Sequence, residues 1–104
     1  MASVHRFSIG QLVHHLKFGY RGVVVDVDLT FAESDEWYER VARSQPPKDH
    51  PWYRVLVDGS LHDTYVAERH LEADSVVDPI EHPRIDEFFD AFRDGHYVRE
   101  RALN

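Results

Sequence analysis

The sequence predicts an all-β domain, a small antiparallel barrel with one short inserted helix and a second helix near its C-terminus. Three observations carry this prediction. Gly22–Leu29 is a β-branched run with valine at alternate positions. Trp52–Val57 and His62–Glu68 flank an Asp58-Gly59-Ser60 turn. A chain of 104 residues holds one modest core and one domain.

Taken in order, the first strand is expected over Gln11–Leu16, after the turn-prone Ser8-Ile9-Gly10. Gly19 and Gly22 bracket Tyr20 at a tight bend that needs positive φ or close packing. Along Gly22–Leu29, Val23, Val25 and Val27 point to one face and Val24, Asp26 and Asp28 to the other. Residues 30–51 read as an insertion. Ser34 caps a short helix, Asp35 and Glu36 suit its positive end, and Trp37, Tyr38 and Val41 fall at helical spacing. The prolines of Gln45–Pro51 then mark a surface loop. On Trp52–Val57, Tyr53, Val55 and Val57 fill the barrel and Trp52, Arg54 and Leu56 lie on its outer face. Glu68–Leu71 reads as a helical turn that closes the barrel. Glu72–Pro83 is an acidic connector. Pro83 then opens a helix that Gly95 ends, with Ile85, Phe88, Phe89 and Phe92 as its apolar stripe. Residues 96–104 are expected to fray. The result is one domain over 1–104, with a core at about 7–71 and a connector and C-terminal helix at 72–104, in the manner of a small SH3-like barrel.

Apolar residues make up 42% of the chain and aromatics 12%, which excludes a disordered polyampholyte. The absence of cysteine removes disulfides, thiolate zinc sites and cysteine nucleophiles, and fits a reducing compartment. No apolar leader opens the chain, and runs such as Val23-Val24-Val25 fall far short of the ~20 residues that span a bilayer. The expectation is a soluble cytoplasmic protein with no membrane partner. The formal charge is −7, of which −5 falls in residues 72–104. Such a domain is repelled by phosphate backbones unless it gathers a local basic face.

Asp26 and Asp28 share one strand face about 7 Å apart. Paired carboxylates can move protons or hold a cation, yet no nucleophile, third ligand or glycine-rich phosphate loop accompanies them. They are read, with Gly19, Tyr20 and Gly22, as a structural motif. Eight histidines are many for this length, but His14 and His15 face opposite ways along a strand and the others lack metal-motif spacing. No metal, cofactor or catalytic centre is expected, so the chain is read as a non-enzyme. Trp52 beside Arg54 has the composition of a protein interface, and equally that of a tryptophan covered by the insertion or the terminal helix. Trp37, Trp52, Arg54 and Leu56 form the candidate partner-binding set. The Phe stripe docks on its own barrel or on a neighbouring subunit.

Four segments then carry a likeness. Phe7–His15, Gly19–Asp28, Pro51–Val55 and Tyr65–Glu68 with Leu71, in that order and spacing, resemble the HspQ heat-shock family, also described as YccV-like hemimethylated-DNA-binding proteins. The likeness covers roughly residues 7–71 and implies an SH3-like barrel. It also implies a stress-response factor in protein quality control, an adaptor that enhances degradation of selected or denatured proteins by Lon protease. The implied partners are a Lon-type protease, its client proteins and further copies of the chain, as a homo-oligomer (a trimer). The older family label implies hemimethylated DNA as a partner instead. Residues 31–48 and the C-terminal stretch depart from the family pattern, so specificity held there does not transfer. An adaptor needs exposed apolar contacts, which Trp37, Trp52 and the Phe-bearing helix offer. DNA binding needs clustered cations, and here the cations are scattered among acids.

Overall fold

Five antiparallel strands form one sheet, in the order Asp63–Ala67, Trp52–Val57, Arg21–Asp28, Leu12–His15 and Leu71–Ala73, and a two-stranded hairpin lies beside it. The computed structural model describes residues 5–42 and 44–100. The strands are β1 (Leu12–His15), β2 (Arg21–Asp28), β3 (Trp52–Val57), β4 (Asp63–Ala67), β5 (Leu71–Ala73), β6 (Ala91–Arg93) and β7 (His96–Val98). Helix α1 (Asp35–Val41) occupies the insertion, and a single-turn helix α2 (Ile85–Phe88) precedes the hairpin. A 3-10 turn, Glu68–His70, joins β4 to β5.

The expected closed barrel is not what forms. β4 and β5 are the two edges of the sheet and no ladder joins them. The sheet nevertheless curls, because one core cluster draws Val13, Val24, Tyr53, Val55, Val66 and Leu71 from all five strands. Phe7 completes that cluster. Its backbone N–H donates to the Tyr53 hydroxyl, which itself donates to Glu68 at 2.6 Å.

Strict alternation along β2 fails at one residue. Val24 pairs with Val55 and Asp26 with Arg54, so Val25 is an extra residue, a β-bulge. The bulge resets the period of two. Val27 therefore packs with Val24 against the first cluster, while Val23 and Val25 join a second one on the opposite side. Val23, Val25, Tyr53 and Val55 are all buried as expected, but on two faces rather than one. Val24, expected on the outer face, is fully buried.

The second cluster exists because the C-terminal segment covers the outer face of β1–β3. Phe89, Tyr97 and Ile80 pack on Leu12, Val23, Val25 and Leu56. The helix expected from Pro83 to Gly95 is replaced here. Its helical part stops at Phe88, and Phe89 is extended at φ −136° and ψ 155°. Asp94 and Gly95 turn the chain at φ 53° and 79°, the signature of a tight two-residue hairpin turn. That local preference, together with aromatic burial by Phe89 and Tyr97, outweighs the helical spacing of the stripe. Residues 96–98, expected to fray, are stitched down: the Tyr97 N–H donates to the Gly10 carbonyl at 2.9 Å. Residues 101–104 lie outside those described.

The Asp58-Gly59-Ser60 turn falls where expected, but only Gly59 has positive φ, and Val57 bonds across it to His62. The acidic connector is likewise held in place. Arg21 donates to the buried Asp74 carboxylate at 2.8 Å and to the Asp78 carbonyl, and pairs with Asp58.

Candidate functional site

A cleft of about 270 Å³ opens along the β4 edge, between the insertion and the β1–β2 turn. Its walls come from three distant stretches of chain. The insertion supplies Trp37, Val41, Ala42, Ser44 and Pro46. The β1–β2 turn supplies His15, Lys17, Phe18 and Tyr20, with His70 beside them. Trp52 and the consecutive residues Thr64–Ala67 make the floor.

The insertion wall is set by local rules. Ser34 caps α1 by accepting the Trp37 N–H at 3.1 Å, and Asp35 and Glu36 occupy its first turn. The return loop is then clamped: Tyr38 donates to the Pro46 carbonyl at 2.6 Å, and the Trp52 indole donates to the Pro47 carbonyl at 3.1 Å. Phe31 sits among Trp37, Tyr38, Trp52 and Tyr65 with ring centroids 4.9–6.0 Å apart. Trp52 is thereby buried, covered by the insertion.

The floor exposes a strand edge. A cleft lined by four consecutive strand residues must run along the edge, since a face shows only alternate ones. The ladder's phase tells which groups point outward. Val57 donates to His62, and Glu68 donates to Pro51, so the even-numbered residues of β4 bond to β3. The N–H and C=O of Tyr65 and Ala67 therefore face away from the sheet. The Ala67 carbonyl opens the 3-10 turn by accepting from the His70 N–H, so the Tyr65 N–H and C=O and the Ala67 N–H are left without a backbone partner among the described residues.

Hydrogen bonds tie the aromatic rim to its surroundings. Tyr65 donates to Asp28 at 2.6 Å and accepts the Ala32 N–H, and the Arg54 guanidinium lies 5.1 Å over its ring. Burial first, and then the bond to Asp28, push its phenol well above the usual tyrosine range. Tyr20 meets the Thr64 hydroxyl at 3.0 Å, bridging the turn to β4. His15 is buried, stacked on Phe18, tilted against Tyr20 and 5.8 Å from the His70 ring. Its Nδ1 accepts the N–H groups of Lys17 and Phe18 at 3.1 and 3.0 Å, which places its proton on Nε2. Burial, followed by the neighbouring His70, His14 and Lys17, lowers its pKa below the usual histidine value. Burial, then Arg69 and Lys17, does the same to His70.

Charge separates this cleft from the rest of the surface. The chain has 19 Asp and Glu, and none lines it. Lys17 lines it, and Arg69 reaches its rim by donating to the Ser44 carbonyl. Neither has a carboxylate partner among the described residues. Arg21, Arg54, Arg84, Arg93 and Lys48 all do.

Of the residues singled out in the sequence, Trp37 and Tyr20 line the cleft and Trp52 is its buried floor. Asp28 fixes Tyr65 from behind. Arg54 pairs with Glu33 and Asp63. Leu56 is fully buried in the second cluster, so it offers no surface. Asp26 is exposed and accepts the Val27 N–H, and so shares no site with Asp28. Gly19 turns at φ 77° in open space, and Gly22 is pressed against Val55 and Leu56. Sequence reasoning missed His15, Phe18 and Tyr65 as cleft residues, although it did place His14 and His15 on opposite faces. His14 meets Glu72 outside at 2.9 Å. No group of three or more metal-ligating side chains occurs among the described residues, and none of their helices is long and apolar enough to cross a membrane. A family model described as "Hemimethylated DNA-binding protein YccV like" matches residues 5–96.

Proposed function

The chain belongs to the YccV-like family, and on that premise we propose that it is a non-enzymatic quality-control adaptor. It binds selected or denatured proteins and enhances their degradation by a Lon-type protease. The observation that supports this reading is the acid-free aromatic cleft beside an unpaired strand edge, because exposed backbone and apolar side chains are what an unfolded protein offers. Self-association, as a trimer, and a cytoplasmic setting belong to the same reading. Exposed Leu16, Phe18 and Leu61 are apolar side chains available for subunit contacts.

The test is degradation of a denatured protein by purified Lon, with and without this protein. Stimulation is expected. Trp37→Ala, on the cleft wall, is expected to abolish it while leaving the thermal melt cooperative. Failure to stimulate any client overturns the reading.

A second reading, recognition of hemimethylated DNA, is favoured by the family's description. Lys17 and Arg69 are cations at the cleft with no carboxylate partner among the described residues, and an aromatic wall suits contact with a base methyl group. Arg21, Arg54, Arg84 and Arg93 already serve the chain's own carboxylates, which takes them from phosphate binding. Submicromolar, salt-steep binding to a hemimethylated duplex, without stimulation of Lon, makes this second reading the function.

A further inference from the structure

We propose that β4 is a docking edge, on which an extended acidic peptide adds as a further strand and seats one large apolar side chain in the cleft. This rests on the adaptor reading and specifies what that adaptor grips. Three independent observations converge on it. The outward N–H groups of Tyr65 and Ala67 stand two residues apart with the Tyr65 C=O beside them, the repeat at which a neighbouring strand offers its own. The adjoining volume, about 270 Å³, lies just under the ~300–1,000 Å³ of small-molecule pockets and suits one side chain held against Trp37 and Phe18. The charge is complementary. An acidic chain that keeps every carboxylate out of one cleft, and leaves Lys17 and Arg69 unpaired there, favours an occupant with acids flanking its apolar residue.

Ala67 allows this to be tested without disturbing the sheet. Its φ is −68° and its ψ 145°, the conformation of proline, and its N–H points away from β3. Ala67→Pro removes the outward donor and keeps the β3–β4 ladder. The probe is a fluorescein-labelled peptide, Glu-Asp-Val-Phe-Val-Asp-Glu, with Lys-Lys-Val-Phe-Val-Lys-Lys as its charge-reversed control. On binding the acidic peptide, amide hydrogen exchange at Tyr65 and Ala67 of the wild-type protein is expected to slow by about tenfold or more, and exchange at Thr64 and Val66 to stay as it was. Ala67→Pro is expected to melt like the wild type and to bind about tenfold more weakly. Lys17→Glu is expected to weaken binding roughly fivefold, most at low salt.

The docking edge is overturned if Tyr65 and Ala67 stay unprotected, if the basic peptide binds as well as the acidic one, or if a hemimethylated duplex protects these amides and the peptide does not. Stimulation of Lon by a protein whose edge stays unprotected removes the docking edge and leaves the adaptor standing. Protection by the peptide in a protein that never stimulates Lon does the reverse. The wild-type exchange pattern decides the matter even if Ala67→Pro fails to fold.

Discussion

At Gly22 there is room for a hydrogen and nothing larger. A Cβ built there would run into Val55 Cγ1 and would lie 2.5 Å from the Leu56 carbonyl oxygen. Gly19 differs, with open space around it and a backbone at φ 77°. Gly22→Ala should therefore cost about 1–3 kcal/mol through overpacking against backbone that cannot move aside. Gly19→Ala should cost roughly 1–2 kcal/mol through backbone strain alone. Chemical denaturation measures both, and a Gly22→Ala protein as stable as wild type would show that β2 and β3 are not pressed together there. Both glycines were legible in the sequence as constrained positions, but which constraint governs each was not. That depends on what stands across the ladder. The same limit applied to Trp52, where exposed and covered readings were equally open until the fold of the insertion placed Phe31 and Tyr38 over it.

Elements written in local code were read correctly. Ser34, the acidic first turn and the spacing of Trp37 and Tyr38 specify α1 without reference to distant chain, and β3 starts and ends where its apolar run does. The C-terminal segment misled because two codes overlap in it. Proline, glycine and a Phe stripe at helical spacing spell a helix, whereas Asp94-Gly95 between aromatic residues spells a hairpin. What decided the outcome was the apolar outer face of β1–β3, which aromatic residues on a hairpin cover. Tyr97 shows how tightly. Its hydroxyl accepts the Ile80 N–H at 3.0 Å and lies 3.2 Å from the Ile80 carbonyl oxygen, both buried. Tyr97→Phe keeps the ring and strands both groups, so it should cost about 1–3 kcal/mol. A melt unchanged within error would mean that the hairpin is held by ring burial alone. The β2 bulge was invisible for a related reason: an extra residue carries no composition of its own.

For the whole molecule, charge and acidity act in opposition. Lowering the pH adds protons to the chain as a whole and relaxes the net charge of −7, which favours compactness. His15 and His70 work the other way. Their folded pKa values lie below the ordinary value of about 6.5, so the unfolded chain takes up protons there before the folded chain does. Their contribution is complete above that pH and is lost as pH falls below it. His15→Asn can keep an acceptor for the Lys17 and Phe18 N–H groups and cannot titrate. Between about pH 7.5 and pH 5.5 its melting temperature should fall less than that of the wild type. Equal slopes would sink this assignment, since the global charge effect is common to both proteins. The cleft around His15 was the part least legible in the sequence. Its walls lie at residues 15–20, 37–46 and 64–70, and its want of carboxylates is a property of their assembly, not of any one segment.

The open edge has a further consequence for how the protein behaves when crowded. A strand able to take up a guest can also take up its twin, and long bare edges template fibrils. β4 is only five residues long. Asp63, tied to Arg54 and Arg84, blunts one end, and the chain coils away at Glu68 on the other. The few outward backbone groups of so short a strand suffice to hold one visitor in register, and they are too few to seed a stack.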